Sequence, residues 1–170
     1  MKKLYFILLP LLLLLASGLI AQSTVNTTIG VKIVKGLTLT KTADLHFGTM
    51  SIPTAPVSVI LSTSNNRIAS SPNDITLLAQ APVSTNAAYT VNGSADATYA
   101  ISLPANGLVT IHSGNNNMTV NSFTCSHGGF TGTLNNEGND QFVLGATLQL
   151  EDGQAYGFYS GTFEIIVAYN

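Results

Sequence analysis

The chain has 170 residues, eight acidic and six basic groups, and a formal net charge of −2. Only 8% of it is charged, tryptophan is absent and cysteine occurs once. With no basic stripe, nucleic acid and anionic lipid surfaces are excluded as partners. The lone cysteine excludes an internal disulfide framework.

Lys2 and Lys3 precede an almost wholly apolar run, Leu4 to Leu15, and small residues follow at Ala16-Ser17-Gly18 and Ala21. This pattern reads as a secretory signal peptide over residues 1–21, cleaved after Ala21. Residues 22–170 then suit one domain, with an excess of four negative charges (Lys32, Lys35, Lys41 and Arg67 against eight acids). The expected location is secreted: periplasm in transit, then the cell surface, with no membrane contact after cleavage.

Val25, Thr27, Ile29, Val31 and Ile33 share one face of the first segment, so residues 22–35 form an N-terminal strand or an extension, and residues 36–170 the body. Leu37-Thr38-Leu39-Thr40 and Leu45-His46-Phe47-Gly48 read as short strands. Pro53 and Pro56 keep residues 52–56 out of a sheet interior. Val57, Val59 and Leu61 alternate next, and Ile75 to Ala79 reads as a brief apolar strand.

Tyr89 to Asn92 closes on the Asn92-Gly93 turn. Tyr99, Ile101 and Leu103 lead to Pro104, and Asn106-Gly107 signals a hairpin into Leu108 to His112. Gly114-Asn115 turns the chain into Met118 to Phe123. Phe142, Leu144, Ala146, Leu148 and Leu150 make the longest clean alternation, and Glu151-Asp152-Gly153-Gln154 turns it into the last strand. There Phe163, Ile165, Val167 and Tyr169 form one apolar face, against Thr162, Glu164, Ile166 and Ala168. Roughly nine or ten short strands, with turns every 8–12 residues, indicate an all-β antiparallel two-sheet sandwich.

Catalytic and metal signals are weak. No Gly-x-Ser-x-Gly elbow occurs, and the acidic residues are scattered through turns. Cys125-Ser126-His127 offers two soft ligands, and neither His46 nor His112 stands at a ligand spacing from them. We expect no enzyme activity, no catalytic residue, no metal and no cofactor. An unpaired thiol in an exported chain is expected to be buried.

Three stretches together resemble the domain of unknown function 4402 family, related to the spore-coat U domain and archaic chaperone–usher pilins. They are Gly36 to Thr49; Tyr99 to Pro104 with Met118-Thr119-Val120; and Tyr156 to Asn170, where Gly157 stands fourteenth from the end and Tyr169 is penultimate. The resemblance implies an immunoglobulin-like sandwich exported to the cell surface. It also implies a fibre or matrix subunit that assembles with itself or with other surface subunits, with a periplasmic chaperone as a further partner. In that mechanism an incomplete sandwich accepts a neighbour's strand. Val25, Thr27, Ile29, Val31 and Ile33 would be the donor residues, with Gly157, Phe163, Ile165, Val167 and Tyr169 on the C-terminal strand and groove. The alternative is a monomeric adhesin or glycan-binding module whose residues 25–33 are an ordinary first strand. Tyr156 and Tyr159 are the aromatics to watch in that case.

Overall fold

The computed structural model describes residues 24–170. The expected signal peptide lies outside them, apart from which the chain divides into two bodies, one ending at Ile33 and one running from Val34 to Asn170. In the first, residues 24–33 carry neither strand nor helix, and Val25, Ile29, Val31 and Ile33 are 83–93% exposed. The reading of residues 25–33 as an ordinary first strand therefore finds no strand there.

The second body is an antiparallel all-β structure of short strands: β1 (Thr38–Ala43), β2 (His46–Phe47), β3 (Val57–Leu61), β4 (Arg67–Ala69), β5 (Ser84–Thr85), β6 (Ala87–Asn92), β7 (Thr98–Ser102), β8 (Val109–Ser113), β9 (Asn116–Cys125), β10 (Thr131–Thr133), β11 (Asn139–Leu150) and β12 (Ile166–Tyr169). A 3-10 turn at Gly128–Phe130 is its one helical element among the described residues.

β11 is the spine. Its first half pairs with β6, Phe142 opposite Tyr89, and its second half pairs with β3, Leu148 opposite Val59. The Asn86 side chain closes the gap between those two partners, donating to the Ser62 and Leu144 carbonyls at 2.8 and 3.0 Å. Along β11 the ladder to β9 shifts register between Gly145 and Thr147, and Ser122 takes a positive φ of 48° on the bulged strand. β1 adds to β6, β4 to β3 and β8 to β9, which completes a seven-stranded sheet. A three-stranded sheet, β10-β7-β12, and a two-stranded one, β2-β5, make up the remainder.

Because side chains alternate along a strand, β11 puts Phe142, Leu144, Ala146, Leu148 and Leu150 on one buried face. That face serves two adjoining cores. Phe142 and Leu144 join Tyr89, Val91, Tyr99 and Ile101 under the three-stranded sheet. Ala146, Leu148 and Leu150 join Val57, Val59, Leu61, Val109 and Val120. Leu45 and Phe163 touch both cores.

Three local expectations change. Asn106-Gly107 is no hairpin: β7 pairs with β10 and β12, whereas β8 pairs with β9. The chain crosses between sheets there, and Asn106 and Asn121 side chains satisfy the Ser122 and Gly107 amides at 2.8 and 2.6 Å. The true hairpin is β8–β9, where Ser113 opposes Asn116 across a two-residue loop and Gly114 supplies the positive φ of 59°. Ile75 to Ala79 is not a strand; only Leu77 forms an isolated bridge, to Met50, since Pro53 cuts short any longer pairing.

The last strand begins at Ile166, not directly after residue 154. Ile166 faces Ser102, so continuing that register would set Glu164 opposite Pro104, which has no amide to donate. Residues 161–165 keep the alternation, Phe163 and Ile165 half-buried and Thr162 and Glu164 exposed, outside every ladder.

Candidate functional site

A groove borders the buried core beneath β8 and β9. The strands β8, β9 and the end of β11 lay down an apolar floor through cross-strand pairs: Val109 opposite Val120, Ile111 opposite Met118 and Leu148 opposite Val120. Over this floor runs a groove of about 810 Å³. One wall is the segment 45–53, with Phe47 and Met50; the other is the segment 154–163.

Each wall is held by polar contacts at its back. Arg67 donates to the Phe47, Thr49 and Leu78 carbonyls at 2.8, 2.9 and 2.7 Å, which fixes the first wall to β4. Adding a side chain at Gly48, whose φ is +79°, would collide with that guanidinium. On the second wall, Ser160 and His112 exchange backbone hydrogen bonds of 2.8 and 3.0 Å. Tyr159 donates to the Ala155 carbonyl at 2.8 Å and accepts from Gln154 at 3.0 Å. Phe163 closes the end of the groove, its ring 4.8 Å from that of Phe123. At the rim Tyr156 and Phe158 are 89% and 68% exposed, and Phe158 lies 6.2 Å from the His46 ring.

The groove gathers only part of the expected set. Gly157 and Phe163 line it. Ile165, Val167 and Tyr169 pack instead against the other core, beneath the three-stranded sheet. Val25, Thr27, Ile29, Val31 and Ile33 belong to the first body and stand exposed there. The floor residues Val109, Ile111, Met118, Val120, Leu148 and Leu150 were absent from the expected set, although their alternation was visible. Phe158 was missed too; its signal was an aromatic amid Gly, Tyr and Ser outside any alternating run.

A second cluster joins Cys125, His127, Asp140 and Tyr99. Asp140 Oδ2 accepts from the Tyr99 hydroxyl at 2.9 Å and lies 2.9 Å from His127 Nε2, while Oδ1 accepts the Gln141 amide at 2.7 Å. Tyr99 is wholly buried, so its hydroxyl needs that carboxylate. Burial, then Asp140, pushes Tyr99 well above its ordinary value. Cys125 is free and half-buried, a little less sheltered than expected. Burial raises its thiol, which accepts the His127 amide at 3.4 Å. A thiol shifted that way is a poor nucleophile near neutral pH. With His127 turned to Asp140, the arrangement satisfies the Tyr99 hydroxyl and the part-buried side chains around it. No group of three or more metal-competent side chains occurs among the described residues.

A family model described as Domain of unknown function (DUF4402) matches residues 37–169. No curated protein and no solved structure matches the chain.

Proposed function

We propose that this chain, which belongs to the domain of unknown function 4402 family, is a secreted, non-catalytic surface protein whose copies join into a fibre or matrix by β-strand complementation. One observation carries the reading: an apolar groove lies beside an extended stretch, residues 161–165, that no strand pairs. Such a stretch offers main-chain groups to an incoming strand, and the groove offers side-chain pockets.

The chain also carries a matching occupant. Residues 25–33 place apolar side chains at four of their five alternate positions, Thr27 being the fifth, with Val25, Ile29, Val31 and Ile33 exposed to water. At about 3.3 Å per residue, these nine residues are long enough to run the full length of the unpaired stretch 161–165. Fully burying each of the four would contribute about 1.5–3 kcal/mol. Insertion of one copy's segment into the next copy's groove is a head-to-tail contact, and head-to-tail contacts that do not close make open fibres. Sparse charge leaves little repulsion between copies.

The double variant Ile29→Asp/Ile33→Asp of the full chain tests this. Both positions are exposed, so the monomer should keep its melting temperature and lose multimers. Multimers at the wild-type level would contradict the proposal.

The exposed Tyr156 and Phe158 at the rim favour a second reading, a monomeric glycan-binding module, because aromatic faces stack on apolar surfaces of ligands. In that case Tyr156→Ala/Phe158→Ala would abolish glycan binding, and the Asp variants above would not.

A further inference from the structure

We infer that Lys32 of one copy pairs with Glu164 of the next, and that this pair sets the register of the inserted strand. The inference rests on the strand-complementation reading and adds to it the residue that chooses among alignments.

Parity comes first. On the accepting stretch Phe163 and Ile165 face inward, whereas Thr162 and Glu164 are exposed. On the donating stretch Val31 and Ile33 are the apolar positions and Lys32 lies between them. Residues opposite each other on paired strands point to the same face. Apolar groups of both strands therefore turn inward together only when Lys32 faces outward beside Thr162, Glu164 or Ile166. A slip of one residue would bury the Lys32 ammonium, which is prohibitive. Slips of two residues keep parity, so hydrophobic burial alone discriminates poorly among those three.

Charge resolves the choice. Glu164 is the only ionisable side chain, apart from tyrosines, between Asp152 and the end of the given sequence, and Lys32 is the only one between Gln22 and Val34. Beside Thr162 or Ile166 the ammonium would have no counter-charge; beside Glu164 it does. The same neighbours result whichever way the donated strand runs. Opposite charges facing each other across strands stabilise the pair, and like charges destabilise it.

Charge reversal in the full chain tests this, with multimers read as the ratio of multimer to monomer in unheated denaturing gels after assembly at low salt. Lys32→Glu alone sets Glu against Glu, and Glu164→Lys alone sets Lys against Lys. Each should lower the ratio by about threefold to tenfold. Co-expressing the two single variants lets every junction in an alternating fibre regain opposite charges, so the mixture should recover to within about twofold of wild type. The double variant Lys32→Glu/Glu164→Lys should recover likewise. Both positions are exposed, and an unchanged melting temperature of each monomer checks that folding is intact.

Wild-type multimers with no loss in the single variants, or losses that neither mixing nor the double variant restores, would overturn the pairing and leave strand complementation standing. A wild-type chain that forms no multimers would overturn both.

Discussion

The Tyr169 hydroxyl donates to the Lys35 carbonyl at 2.8 Å and so ties the last strand to the entrance of the domain. The same oxygen accepts the Ser94 amide at 2.7 Å. Gly93 is glycine because this hydroxyl occupies the space a Cβ would need. The penultimate tyrosine therefore acts within its own copy, whatever it offers to a neighbour. Tyr169→Phe removes both hydrogen bonds while keeping the ring. It should cost about 1–2 kcal/mol, seen as a melting temperature lower by several degrees in calorimetry.

Arg67 makes a similar link for the groove wall. Its three bonds to carbonyls depend on a planar fork that an ammonium lacks. Arg67→Lys should cost about 1.5–3 kcal/mol by urea unfolding. It should also speed hydrogen exchange of the amides in segment 47–51 relative to β11. Equal exchange in the two proteins would show that the wall is held by something else.

Alkaline pH should weaken the fold. Tyrosine is neutral while protonated, and burial followed by Asp140 raises Tyr99 above its unfolded value near 10. Burial followed by Asp44 raises Tyr89 in the same direction. The unfolded chain therefore releases these protons first as pH rises. Their contribution is complete below about pH 10 and is lost progressively above it. Urea midpoints measured from pH 8 to 12 should fall at the upper end. Tyr99→Phe should start lower, having lost the bond to Asp140, and should fall less steeply.

Much of the fold is written locally. The alternation from Phe142 to Leu150 gives the spine strand and its buried face, and Gly114-Asn115 gives the β8–β9 hairpin. The parity of residues 163–169 is equally legible, since Phe163, Ile165, Val167 and Tyr169 are the half-buried positions. What the sequence does not display is pairing between distant segments. Asn106-Gly107 carries the composition of a hairpin, yet β7 and β8 enter different sheets because their apolar faces belong to different cores. Tyr169 and Phe163 sit on one face of one segment, and only the position of Pro104, two residues past the end of β7, explains why pairing stops between them. The groove was harder still: its floor residues Val109, Val120, Leu148 and Leu150 are buried like ordinary core, and only the segments 45–53 and 154–163, brought over them from distant parts of the chain, make it a groove.

The measurement that bears most directly on strand complementation is the size distribution of the untagged chain recovered from its native cell surface, run on a denaturing gel without heating and again after boiling. Complementation predicts a ladder of multimers in the unheated lane that collapses to monomer on boiling, because each junction is a folded, non-covalent sheet. A single monomer band in both lanes would contradict it, and residues 25–33 would then have no role in joining copies.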